Sequence, residues 1–328
     1  NHLSDEERAV RNLVRQWVDD QVLPVIEQNC RAGTFPMALV SQIGELGLLG
    51  MNLHGYDCAG MSNIAYGIAC QELERGDSGL RSLCSVQGSL VMYPILTFGN
   101  DAQRNKWLPK LATGEMIGCF GLTEPSAGSD PAAMSTNAVK DGDHYVLNGI
   151  KAWITNSPIA HLAVVWAKDK SDGDRIRAFV VERGTPGFET PTVDGKFSLR
   201  ASPTGEIHLS DCRIPAENVL PESNGLKSPL MCLTQAREGI AWGITGPAID
   251  CYETVLNYGA DRVAFGKPIN NFQLYQAHLA EMATKIVNSQ LMSLHFGRLK
   301  DAGKLSPVQV SMHKRHNVAC AREIASTA

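Results

Sequence analysis

Tyr145-Val146-Leu147-Asn148-Gly149-Ile150-Lys151-Ala152-Trp153-Ile154 is the stretch that decides the fold class. Apolar and β-branched residues flank an Asn-Gly pair that readily takes positive φ angles, which predicts a tight hairpin turning at Asn148-Gly149. Further strands are expected over 162–167 and 177–181, so the chain from about Gly118 to Pro229 reads as β-structure. On either side the period becomes helical. Upstream, Ala9, Leu13, Trp17 and Val18 recur at three- and four-residue steps behind the acidic cap Ser4-Asp5-Glu6-Glu7, while a Gly- and Asn-rich loop over 52–63 and the Tyr93-Pro94 pair punctuate further helices. Downstream, Leu279, Met282, Ile286 and Phe296 share one face of a long helical stretch, and a helix over 315–326 runs to Ala328 without a stop signal. The expected fold is α+β and multidomain: an N-terminal α-helical domain over 1–118, a middle antiparallel β-domain over 119–229, and a C-terminal α-helical domain over 230–328, incomplete at its end.

Composition narrows the function classes. At 328 residues, 44% hydrophobic and 20% charged, the chain has ordinary globular usage and room for a large core, which argues against disorder, collagen and coiled coil. Thirty basic against 34 acidic residues leave a net charge of -4, so no overall positive field draws in nucleic acid or an anionic membrane. The nine cysteines are odd in number and lack C-x-x-C or zinc-type spacing, so free thiols are expected and no metal is assigned. His313 and His316 stand three apart beside Lys314 and Arg315, which would oppose a cation.

The common nucleotide and hydrolase motifs are missing. Gly44, Gly47 and Gly50 have the wrong spacing for G-x-G-x-x-G, Gly266-Lys267-Pro268 lacks the Ser or Thr of a P-loop, and Ser129 lacks the second glycine of a nucleophile elbow. Two other segments carry chemistry. Phe120-Gly121-Leu122-Thr123-Glu124-Pro125-Ser126-Ala127-Gly128-Ser129-Asp130 can offer amide and hydroxyl donors to an electron-rich ligand, and Trp153-Ile154-Thr155-Asn156 adds a large flat ring and a hydroxyl. Read alone, the first is equally well a polar turn.

Together and in this order, those two segments resemble the acyl-CoA dehydrogenase flavoproteins, as does Asp261-Arg262-Val263-Ala264-Phe265-Gly266-Lys267-Pro268 followed by Gln273. The resemblance implies an FAD cofactor held by Phe120, Leu122, Thr123, Gly128, Ser129, Trp153, Ile154 and Thr155, with Arg262, Phe265 and Gln273 reaching the diphosphate and adenine end across a subunit interface. It further implies a homotetramer, an acyl-CoA substrate, electron-transfer flavoprotein as redox partner, and the bacterial cytoplasm or mitochondrial matrix as compartment.

Gln71-Glu72-Leu73-Glu74-Arg75-Gly76-Asp77-Ser78-Gly79-Leu80-Arg81-Ser82, with 85–92 and 195–202, is similar to the glutaryl-CoA dehydrogenase branch. By that resemblance Arg81 meets the substrate's distal carboxylate beside Glu74 and Ser82, and Val86, Ser129, Leu230, Leu233, Thr234 and Arg237 complete the acyl-CoA site. A buried anion needs such a partner, and a monocarboxylic chain is expected to leave Arg81 unpaired. The implied reaction is oxidative decarboxylation of glutaryl-CoA to crotonyl-CoA and CO2, in the degradation of lysine and tryptophan. The alternatives are a short-chain dehydrogenase or oxidase, a non-decarboxylating glutaryl-CoA dehydrogenase, and a non-catalytic acyl-CoA or FAD binder. The match breaks at the base: the family's catalytic Glu is expected beyond Ala328, the other position used by relatives is Ala236 here, and Glu238 is a weak stand-in.

Overall fold

A computed structural model describes residues 2–328. The chain begins with helices α1 (Asp5–Trp17), α2 (Leu23–Ala32), α3 (Leu39–Glu45), α4 (Asn63–Gly76), α5 (Ser78–Ser85), α6 (Tyr93–Phe98) and α7 (Asp101–Ala112). Seven strands follow: β1 (Gly118–Gly121), β2 (Asn137–Asp141), β3 (His144–Thr155), β4 (Leu162–Asp169), β5 (Arg175–Glu182), β6 (Phe188–Glu189) and β7 (Thr204–Pro215). Helices α8 (Lys227–Gly243) and α9 (Thr245–Asp261), a small ribbon of β8 (Val263–Ala264) and β9 (Lys267–Pro268), and helices α10 (Gln273–Asp301) and α11 (Pro307–Thr327) complete the chain. No helix among the described residues is long and apolar enough to cross a membrane.

Two compact units emerge. One comprises the N-terminal residues through Pro24, Ser62–Arg81 and Arg237–Ala328; the other comprises Val25–Met61 and Ser82–Ala236. The first is helical. Ser4 caps α1 in a reciprocal box with Glu7, the acidic start expected from sequence. The buried stripe of α1 runs through Glu7, Val14 and Val18, however, and leaves Leu13 half exposed, because Glu7 turns inward to bind Arg298 at 2.6 and 2.8 Å. Ala248, Met282, Ile286, Ala321 and Ile324 form a core among α9, α10 and α11. His313 is buried on α11 with its Nε2 at 2.7 Å from Ser293 Oγ.

The second unit is built on the sheet, in the order β1-β4-β2-β3-β7-β6 with β5 also on β4. It is mostly antiparallel but not wholly so, since β4 runs parallel to both β1 and β2. Alternate residues of β4 enter two cores. Leu162, Val164 and Trp166 pack with Val91, Trp107 and Leu111 from the helices, and Ala163, Val165 and Ala167 pack with Leu147, Ile207 and Cys212 inside the curled sheet. That double burial is why this strand reads as an unbroken apolar run.

The Asn148-Gly149 hairpin expected from sequence is not formed. β2 and β3 turn instead at Asp141-Gly142-Asp143, where Gly142 has φ +61°, and β3 continues unbroken from His144 to Thr155. Asn148-Gly149 serves an irregularity in pairing with β7: Asn148 and Asp211 exchange hydrogen bonds of 2.8 and 3.1 Å. Positive-φ chemistry is thus spent on a bulge, because both flanking halves of β3 find partners on the same neighbour.

Before β1, a π-helical turn, Val86–Met92, places the buried Gln87 so that its amide donates to Leu111 O (2.9 Å) and Met116 O (2.8 Å) and accepts from Gly118 N (2.8 Å). Gln87→Leu should cost about 2–4 kcal/mol by orphaning three backbone groups, read as a lower urea midpoint at unchanged slope.

Candidate functional site

The two ligand-facing segments read from sequence meet along one seam of the sheet unit. Thr123 O accepts from Ala152 N at 2.9 Å, and the fully buried Lys151 ammonium donates to Leu122 O at 3.1 Å and Glu124 Oε1 at 2.8 Å. Glu124 also accepts from Ser135 N and Oγ, both at 2.7 Å, and from Thr136 N at 2.9 Å. Burial would raise its carboxyl, but Lys151 and these donors outweigh that and bring it down to about 2. Paired backbone bonds between Glu124 and Ala127 then close the loop and leave Gly128 and Ser129 exposed. Lys151 and Glu124 were not singled out from sequence; a lysine two residues before Trp153, in a strand otherwise apolar on that face, is the signal that could have found them.

β3 carries a second irregularity between Lys151 and Ile154, one residue longer than β7 opposite. There Trp153 takes φ +60°, rare for a bulky residue, and its ring stands 67% exposed while Ile154 returns to the core. The strand is strained in order to turn its largest aromatic outward. Beside it, Trp153, Thr155, Phe197, Leu199 and Thr204 help line a cleft of about 470 Å³. Lys196 secures the cleft's loop through Leu199 O (2.7 Å) and Thr204 Oγ1 (2.8 Å), and Arg200 ties it to Cys30 O and Arg31 O at the end of α2. Phe120 and Leu122 lie in the helix-facing core, Phe120 with its ring 5.9 Å from Trp166.

In the helical unit, Arg81 Nε and Nη2 grip Glu74 Oε2 and Oε1 at 2.7 and 3.1 Å, with both residues buried. The bridge is not a solvated surface pair, and Arg81 is not left bare when no acid is bound: Glu74 matches it and Nη1 is the nitrogen the pair does not use. Gly243 makes room for this, since a Cβ there would lie 2.0 Å from Glu74 Oε2. Arg75 is likewise buried against Glu72 at 3.3 Å. Ser82 is half-buried and Val86 buried a turn further on. Leu230, Leu233, Thr234 and Arg237 follow one face of α8 at i, i+3, i+4 and i+7. Glu238, on the same helix, pairs with Lys300; burial pushes its carboxyl up and Lys300 opposes that. Arg262, Phe265 and Gln273 are all exposed around the β8–β9 ribbon, Phe265 at 95% and φ +52°.

The sequence matches the models of three domains: acyl-CoA dehydrogenase N-terminal (4–115), middle (119–212) and C-terminal (223–328). The chain belongs to the acyl-CoA dehydrogenase family. Its three-domain fold is that of the family: N-terminal helical, middle curled β, C-terminal helical. A glutaryl-CoA dehydrogenase from Mycobacterium smegmatis is 52% identical, with TM-score 0.96 over 99% of this chain and 84% of that one. A second glutaryl-CoA dehydrogenase of that organism, solved in complex with FADH2, is 46% identical, with TM-score 0.95 over 99% and 85%. Among curated proteins, the rat mitochondrial short-chain specific acyl-CoA dehydrogenase is 38% identical over 95% of this chain and 77% of its own length. The protein is therefore an FAD-dependent acyl-CoA dehydrogenase.

The residues present fit that cofactor: a planar ring suits the outward Trp153, and Thr155 lines the cleft beside it.

Two outcomes follow. A carboxyl held lower in the fold than in the unfolded chain stabilises the fold above its unfolded value, so the contribution of Glu124 should be complete above about pH 4.5 and lost as pH falls toward 2; Glu124→Gln should flatten the acid limb of a stability–pH curve. Gly243→Ala should lower stability by about 1–3 kcal/mol through collision with Glu74, read by thermal denaturation.

Proposed function

We propose that this dehydrogenase oxidises and decarboxylates glutaryl-CoA, giving crotonyl-CoA and CO2, and passes its electrons to electron-transfer flavoprotein. The observation that carries the reading is the buried Glu74–Arg81 pair beside Gly243. A buried ion pair is often no more stable than apolar residues of the same volume, so a substrate with a carboxylate of its own gives the pair a use.

Arg81 keeps Nε and Nη2 on Glu74 and offers Nη1 to the distal carboxylate, with Ser82 beside it. Leu230, Leu233 and Thr234 on α8, with Val86, pack along the acyl-CoA chain, and Arg237 and Ser129 meet its polar parts. FAD, when bound, supplies the acceptor for the two electrons and β-hydrogen. Thr123, Trp153 and Thr155 would hold its ring, and Arg262, Phe265 and Gln273 would serve the cofactor of a neighbouring copy in a homotetramer. The α-proton goes to a carboxylate base that is assigned to none of residues 2–328, Glu238 being held by Lys300. Loss of the γ-carboxylate then leaves electrons that spread through the unsaturated thioester until C4 is protonated. Arg81 holds the departing carboxylate in line.

A second reading, a short-chain acyl-CoA dehydrogenase, is favoured by one observation: Glu74 already neutralises Arg81, so an apolar acyl chain would meet no bare charge.

Anaerobic addition of glutaryl-CoA to the FAD-loaded protein should bleach the flavin absorbance and yield crotonyl-CoA with labelled CO2. The pair Glu74→Gln with Arg81→Met, which leaves no buried charge unmatched, should lower kcat/KM for glutaryl-CoA roughly 10- to 100-fold relative to butyryl-CoA. Equal reduction by butyryl-CoA, unaltered in that variant, would select the short-chain reading.

A further inference from the structure

The ammonium of Lys151 stands at a junction that neither the fold nor the dehydrogenation chemistry requires to be charged. It is fully buried, on the strand that presents Trp153 and Thr155, and it reaches across to the loop that presents Thr123. Its two acceptors, Leu122 O and Glu124 Oε1, flank Thr123 on both sides, while Thr123 O itself accepts from the next residue of the strand, Ala152 N. Three consecutive loop residues are therefore tied to two consecutive strand residues. Just beyond those ties the strand departs from regular pairing and Trp153 turns outward.

We infer that Lys151 is a positioning residue for the cofactor site: with Glu124 as its counter-charge, it sets the distance between the Thr123 hydroxyl and the Trp153–Thr155 pair. The inference rests on the reading that Thr123, Trp153 and Thr155 face the isoalloxazine. The pair acts through geometry and not through net charge, because ammonium and carboxylate cancel within 2.8 Å and other polar groups satisfy the rest of Glu124. A neutral apolar pair of similar volume could hold the core together equally well. It could not hold the Leu122 carbonyl and the Glu124 carboxylate at fixed directions on either side of one hydroxyl, since only hydrogen bonds carry that directionality.

The test is a titration of the full-chain apoprotein with FAD, followed by quenching of flavin fluorescence and by the shape of the visible band. Lys151→Met alone strands a buried carboxylate, so the informative variant is Lys151→Met with Glu124→Gln. It is expected to unfold cooperatively, to bind FAD with Kd raised roughly tenfold or more, and to lose the resolved shape of the bound-flavin band. A folded double variant with native affinity and band shape would overturn the inference. So would one that no longer unfolds cooperatively, which would make the pair a folding element. Trp153→Ala in the same titration examines the underlying reading separately. If it leaves affinity and band unchanged, Trp153 does not face the ring; if it alters them while the double variant does not, only the role of Lys151 falls.

Discussion

Charge held out of water is the constraint that both units have to satisfy. Lys151 with Glu124 in the sheet unit, and Arg81 with Glu74 in the helical unit, are ion pairs whose members are all buried. Neither pair is cheap, since desolvation offsets much of the Coulomb attraction. Each is held by short, directed hydrogen bonds between the charged groups. Around the first pair, the Ser135 and Thr136 donors fill the remaining capacity of Glu124. Around the second, the bidentate fork is accommodated by the missing side chain at Gly243. What the fold gains is direction: Lys151 ties the Leu122 carbonyl and the Glu124 carboxylate to β3, and Arg81 holds Glu74 through two bonds at once.

The sheet unit uses strain to the same end. A bulge in β3 and positive φ at Trp153 expose an aromatic ring that regular alternation would treat differently. The cost is met by the neighbouring core, where Ile154, Ile207 and Leu209 pack inside the curled sheet. Under the proposed function, the outward ring of Trp153 is the flat surface offered to the FAD cofactor. Substrate choice is a finer matter. The relatives named above include both glutaryl-CoA and short-chain enzymes, and the Glu74–Arg81 pair is the feature on which the two readings divide.

Much of this was legible in residue order. The helical, strand, helical succession followed from periodicity, and the segments around Thr123 and Trp153 carried the resemblance to the family and, with it, the FAD cofactor. Errors arose where a local signal had two physical uses. Asn148-Gly149 permits positive φ, which suits a hairpin and a bulge equally; pairing of both halves of β3 with β7 selected the bulge. The apolar spacing of α1 suggested Leu13 as core, yet Glu7 took an inward place once Arg298 was there to receive it. Arg81 read as a charge awaiting a substrate beside Glu74, and that the two are buried and joined by two bonds was decided only by the fold.

Sequence alone determined the family and the FAD cofactor, because short segments around Thr123, Trp153 and Arg262 carry the resemblance whatever the rest of the chain does. Tertiary structure decided which charges are neutralised and which rings face outward: Lys151 with Glu124 across 27 residues, Gly243 beneath Glu74, Trp153 turned by a bulge whose partner strand is far along the chain. These are contacts between groups remote in sequence, and no local propensity encodes a distance that only the packing of separate elements sets.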